Sequence, residues 1–428
     1  MSDPIWNKGN AKIDARIMRF CAGDDVVLDR QLFAYDIRAS QAHVRGLGRI
    51  GLLEDAERDA LLAALAQLGE AFERGEFALD ERYEDCHSAI EAYLIEKLGD
   101  AGRKVHTGRS RNDQILVASR LYLRDVLAQI GAYAKEIAGV CLERAERDDV
   151  PMPGYTHLQR AVPSSTGMWF AGFAEAFIDN ARLARDTAGY IDTNPLGTAA
   201  GYGVNLGLDR EGVTEDLGFE RMQINPIYAQ NSRGKFELQA LMALGQALLD
   251  VRRVAWDLSL FCTAEFDFVE LPDRFTTGSS IMPNKRNPDV VELLRASYGV
   301  VQGAMAELQA ILSLPSGYQR DLQASKGPVL RAMSRGLDAL AIMPELLGAL
   351  RFNEARLAEA IAPAMYATDR AIELAKQGLP FREAYVQVAA EFDLLKDRTP
   401  AQSLASRTSP GACADLKLDV LRARLATL

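Results

Sequence analysis

Residues 112–148 read NDQILVASRLYLRDVLAQIGAYAKEIAGVCLERAERD and contain no proline. Leu116, Leu123, Ile130 and Ile137 recur every seven residues. Val126, Tyr133 and Val140 fill an alternate seam, with Ser119 as its polar exception. A sustained seven-residue apolar repeat is how long helices pack side by side. At 1.5 Å per residue such a helix would run roughly 55 Å. Helices longer than one domain can cover usually bury their stripes against other subunits, which predicts an oligomer.

Outward from that stretch the same periodicity returns. Leu241, Leu244, Leu248, Val251, Ala255 and Leu258 follow 3–4 spacing in a run that starts near Gly234. A third run, Trp169 to Arg185, follows VPSS, a proline and two hydroxyls suited to a helix start. A fourth, Asp289 to Leu314, ends before Pro315. Strand-like alternation is scarce. The pattern predicts a mainly α fold of three helical domains, with a central bundle of long helices. The expected boundaries are 1–105, 106–354 and 355–428, with joints at GDAGRK (99–104) and LRFNEA (350–355).

Composition narrows the function. The formal charge of −10 and the lack of a basic run argue against a nucleic-acid partner. No apolar run approaches the roughly 20 residues that cross a bilayer, and the first eighteen residues lack the apolar core of a secretion signal. The five cysteines, Cys21, Cys86, Cys141, Cys262 and Cys413, are scattered and odd in number. They read as free, mostly buried thiols, so the cytoplasm is the expected compartment.

Three polar clusters break the apolar pattern. HTGRSRNDQ (106–114) packs arginines, hydroxyls, an amide and a carboxylate before the longest helix. Arginine's planar fork pairs with carboxylates at two points, and Asn112 can donate and accept. The plainer reading is a helix cap, Ser110 with Asp113 three residues on, and both can hold because helix N-termini attract anions. GYTHLQR (154–160) holds His157, the strongest acid–base candidate of four histidines. His106 is evenly balanced, His43 reads as structural, and His87 could face Glu91 one turn on.

The third cluster is TTGSSIMPNKRNPDVVELLRA (276–296). A Gly-Ser-Ser loop can bring a serine into a dry site, and Lys285 and Asn287 could stabilise negative charge on a carboxylate-bearing substrate. The chain has no G-x-S-x-G, H-E-x-x-H, Walker loop or Rossmann glycine pattern.

GSSIMPNKRNP resembles the signature segment of the fumarase/aspartase superfamily. HTGRSRNDQ, GYTHLQRA, LPSGYQRDLQ near residue 318 and PFREA near residue 382 resemble the forms found in the argininosuccinate lyases of that superfamily. This resemblance covers nearly the whole chain. It implies a homotetramer whose helices form a shared multi-helix core, with three segments from different subunits meeting in each site. It implies cleavage of argininosuccinate to arginine and fumarate, on a small-molecule substrate, without cofactor or metal. By matching position, Ser279 takes the proton, His157 is its acid–base counterpart, and Glu292 orients the histidine. Lys285 and Asn287 would hold the developing charge. Asn112, Thr156, Tyr318, Gln323 and Lys326 match substrate-binding positions, with Ser110 and Arg111 beside them. From the residues alone, which of Ser279 and His157 is the base stays open.

The chain departs from the family pattern at Asn284, Arg286, the ASKGPV that follows RDLQ (with Ser325), and Tyr385. Asp25 is the nearest match to a substrate-contacting serine, after a short insertion. Two other readings remain. One is a superfamily lyase acting on a different N-substituted aspartate. The other is an inactive structural homologue of the crystallin kind.

Overall fold

The computed structural model describes residues 15–80 and 82–428. The reading of the first fourteen residues lies outside them.

The decisive stretch forms one helix, Arg111–Arg147, of 37 residues. Leu116, Leu123, Ile130 and Ile137 are all buried. The companion seam falls elsewhere than expected. Val126 is buried, but Ser119, Tyr133 and Val140 are only half-buried. Arg120, Leu127, Ala134 and Cys141, four residues after each member of the first stripe, are the buried partners. The face of this helix is broader than a two-residue heptad seam, as globular packing requires.

Four more long helices are Thr166–Ile191, Lys235–Phe261, Asp289–Ile311 and Lys326–Ala349. The first three match the periodic runs. The last was not apparent in the sequence, because Gly327, Pro328, Gly336 and Pro344 punctuate it. Pro328 lies in its first turn, where a missing N–H costs nothing, whereas Pro344 sits inside the helix. The fold is mainly α, as expected, and the described strands form only two-stranded pairs.

Contacts divide the chain into two compact units. The first comprises Met1–Gln129, Ala184–Leu244 and Val301–Arg335. Its core gathers Phe33, Val44, Leu47, Leu61, Leu65, Leu68, Ile90 and Leu94. Beside it, Val117 and Leu121 pack with Leu196, Val213 and Phe219. Asp113 ties this unit together: its buried carboxylate accepts the N–H groups of Ser110, Gly197 and Ala199 at 2.8, 3.0 and 2.9 Å.

The second unit comprises Ile130–Leu183, Gly245–Val300 and Gly336–Leu428. Trp169 packs edge-on against Phe170, Phe173 and Phe352. Arg144 lies 4.9 Å over the Phe170 ring and donates to the carbonyls of Leu347, Gly348 and Leu350. It thereby satisfies the orphan acceptors at the end of the Lys326–Ala349 helix. Large apolar side chains on the helices of this unit remain in solvent: Met168, Trp256, Leu293 and Ile342 are 39–55% exposed. The five cysteines are unpaired, and no described helix is long and apolar enough to cross a membrane.

Candidate functional site

His157 stands at the tip of a hairpin. The strands Pro151–Thr156 and Gln159–Ser165 pair antiparallel, with Thr156 opposite Gln159. Only His157 and Leu158 close the turn, and both are left-handed, at φ 54° and 59°. Two-residue hairpins favour positive φ at both positions, normally supplied by glycine or asparagine. A bulky leucine held there is strained, and strain of this kind concentrates at functional sites. Thr156, His157 and Leu158 are all exposed.

Ser279 heads a second hairpin. Thr277–Gly278 pairs with Arg286–Asn287, so residues 279–285 form the connecting loop. The Ser279 Oγ accepts hydrogen bonds from the Ile281 and Met282 N–H groups, at 3.3 and 3.1 Å. Two N–H donors on one hydroxyl oxygen favour its anionic form and leave the hydroxyl proton free to be exchanged. Lys285 is exposed and Asn287 half-buried. Arg286 is tied to Asp273, the Leu271 carbonyl and Thr276, and so props the hairpin from outside. Glu292, in the first turn of Asp289–Ile311, contacts Arg295 at 3.5 Å. No hydrogen bond joins it to His157 within the chain.

The remaining candidates lie in the first unit, and most of them share one polar network. Ser110 caps the Arg111–Arg147 helix: its Oγ accepts the Asn112 N–H at 3.3 Å while Asp113 accepts the Ser110 N–H. Arg111 pairs with Glu84 at 2.8 Å and Asp85 at 3.3 Å. Glu84 also meets Arg320, which bonds Gln323 and the Cys21 carbonyl. Gln323 donates to that same carbonyl at 2.8 Å. Lys326, only 7% exposed, is held by Asp29 at 2.6 Å and Asp25 at 2.9 Å. Burial pushes the Asp25 carboxyl up against the opposing pull of Lys326. Asp29 also accepts the Cys86 N–H, next to Asp85. Tyr318 is half-buried just before this segment.

The other histidines are structural. His43 bonds the Thr107 carbonyl at 2.9 Å, and burial keeps it neutral. His87 does not turn to Glu91; its Nδ1 meets Asp36 at 2.7 Å inside the core. His106, half-buried near Arg109, has its pKa lowered to about 4 by burial, then by that cation.

Of the departures, Ser325 is buried and bonds its own turn at the Leu322 carbonyl, while Tyr385 is 63% exposed. Asp29, Glu84 and Asp85 were missed by local reading. Each is joined to its partner across 26 residues or more, a separation at which no spacing rule operates.

A family model described as Lyase matches residues 10–303. The argininosuccinate lyase of Xanthomonas oryzae pv. oryzae is 59% identical over 100% of both chains. That of Stenotrophomonas maltophilia is 60% identical over 99% of both. The chain belongs to the argininosuccinate lyase family. It is thus a carbon–nitrogen lyase. The fold extends across the wider group. A fumarate-bound variant of EDDS lyase superposes with TM-score 0.80 at 24% identity, covering 97% of this chain and 91% of that one. Class II fumarase from Schistosoma mansoni gives 0.69 at 17%, covering 88% and 93%.

Proposed function

We propose that the chain cleaves argininosuccinate to arginine and fumarate, reversibly and in the cytoplasm, with no cofactor. The observation that carries the mechanism is the Ser279 oxygen facing two backbone N–H groups in the GSS loop. Ser279 removes a proton from the carbon beside a carboxylate of the succinyl half. The resulting carbanion survives only if the extra charge on that carboxylate meets fixed donors, and Lys285 with Asn287 supplies them. The C–N bond then breaks, the electron pair leaves on the guanidino nitrogen, and His157 returns the proton that nitrogen needs. Glu292 orients His157 and favours its charged form when the two come together.

The substrate's amino-acid half is read by Asn112, Thr156, Tyr318, Gln323 and Lys326, with Ser110, Arg111 and Asp25 beside them. The working form is a homotetramer in which the segments carrying Asn112, His157 and Ser279 come from different subunits. The exposed Met168, Trp256, Leu293 and Ile342 support such an assembly, as does a His157 that no carboxylate among the described residues orients.

The test is fumarate release, followed by absorbance, from argininosuccinate, adenylosuccinate and other N-substituted aspartates. Turnover of argininosuccinate well above the rest is expected. Preference for another N-substituted aspartate would overturn the substrate, and inactivity on all would overturn the reaction.

A further inference from the structure

A sulfur, an imidazole and a carboxylate meet inside the first unit. Cys86 and His87 open the Cys86–Leu98 helix, and Asp36 lies on the Phe33–Arg49 helix. These side chains belong to residues 0%, 6% and 0% exposed. The Cys86 Sγ stands 3.6 Å from Asp36 Oδ2 and 3.7 Å from His87 Nδ1. That nitrogen is 2.7 Å from the same carboxylate oxygen. The other oxygen, Asp36 Oδ1, is buried without a hydrogen-bond partner among the described residues. The carboxylate also pairs with no lysine or arginine there, whereas Asp29 holds Lys326 and Asp85 meets Arg111. A buried carboxylate oxygen left without a donor or a cation is costly and calls for an explanation.

We propose that Asp36, Cys86 and His87 bind a thiophilic divalent cation of the zinc class, which ties the two helices together. Thiolate sulfur, imidazole nitrogen and carboxylate oxygen are the donors zinc prefers. Bonds of roughly 2.0–2.3 Å at tetrahedral angles set such donors about 3.4–3.6 Å apart. The two separations from Cys86 Sγ already lie close to that. The third is a hydrogen bond at 2.7 Å, which opens as the ion enters, or the unpartnered Oδ1 takes the ion in place of Oδ2. On binding, the Cys86 thiol releases its proton to solvent, and His87 presents Nδ1 while it keeps a proton on Nε2. A water completes the fourth position. The ion takes no part in the lyase reaction, so the site stands or falls apart from it.

The experiment uses the full chain, stripped with a chelator and then titrated with Zn²⁺ or with Co²⁺ as a coloured substitute. One ion should bind per chain, Co²⁺ should give the near-ultraviolet absorption of a thiolate–cobalt bond, and Zn²⁺ should raise the thermal midpoint. Cys86→Ser should abolish that absorption and weaken Zn²⁺ binding by roughly 100-fold or more, beyond what a supporting contact is worth. Asp36→Asn, which keeps the shape and loses the charge, should weaken binding by at least roughly 10-fold. It carries the comparison if thermal melting shows Cys86→Ser unfolded. A folded unmodified chain that binds neither ion would overturn the proposal. So would binding and absorption unchanged in a folded variant, which would mark an adventitious ion on another of the cysteines or on surface carboxylates.

Discussion

The two groups of site residues are built in opposite ways. Around Lys326 the chain makes its own contacts: carboxylates meet cations, amides meet carbonyls, and a buried ammonium sits between two acids. Around Ser279 and His157 the side chains stand on hairpin tips, and apart from the two loop amides on Ser279 they meet almost nothing. The first arrangement is fixed by folding, and in the proposed reaction it would hold a substrate half of defined charge. The second keeps the proposed proton-moving groups off the core, where they could be completed from outside. A buried acid–base pair would be locked by its own partners, whereas an exposed one remains available.

The largest effect should come from the exposed group. Ser279→Ala should lower kcat by roughly 10²- to 10⁴-fold, the usual worth of a proton-transfer residue, without moving the thermal midpoint. Lys285→Met should lower kcat by roughly 10²- to 10³-fold and raise KM far less, because its charge matters when the carbanion forms. A pure KM defect at Lys285 would place it with the binding residues and erase the contrast.

Co-refolding sharpens it further. Ser279→Ala and His157→Asn chains, each inactive, are unfolded together in equal amounts and refolded. If a site takes its serine and histidine from different subunits, roughly a quarter of the sites regain both. If one chain supplies both, every site lacks one of them. Confirmed heterotetramers as dead as their parents would exclude shared sites.

The paired group should respond in stability and affinity. Lys326→Met strands the buried Asp29 and leaves the half-buried Asp25 without its cation, and should cost about 3–5 kcal/mol in denaturant unfolding. Asp25→Ser leaves Lys326 with Asp29 and should change KM severalfold while kcat stays close to normal. An unmoved KM would show that the inserted Asp25 serves only the fold.

That same division marks what could be read beforehand. Seven-residue stripes are local and announced the helices, and the GSS and THL motifs sit on loops whose residues act within a few positions of one another. The companion seam of the longest helix was displaced by one residue, because the partners of Leu116 and Leu123 lie at i+4, on the side facing the core. The Lys326–Ala349 helix was hidden by prolines and glycines that tertiary packing tolerates. The network around Lys326 was hidden by distance: Asp29 and Lys326 are 297 residues apart. His87 turned to Asp36, 51 residues away, rather than to its helical neighbour, since a buried imidazole finds the acid that shares its burial.

The smallest effect concerns His106, a motif residue whose imidazole burial and Arg109 hold neutral near pH 7. Its folded pKa, lowered to about 4 by burial and by Arg109, lies below the 6.5 of the unfolded chain. Between those values the unfolded state holds a proton on this histidine and the folded state does not. Stability from His106 is therefore complete near pH 7, is lost as pH falls from about 6.5 to about 4, and changes no further below that. Each unit of this window is worth at most about 1.4 kcal/mol, and less here because solvent reaches part of the ring. Urea unfolding of the unmodified chain and of His106→Gln, at pH 7, 6, 5 and 4.5, isolates the term, since every other group titrates in both. The stability of the unmodified chain relative to the variant should decline steadily across that series. A constant difference would mean that His106 is protonated in the folded chain at the same pH as in the unfolded one, and would return it to the list of residues able to trade protons.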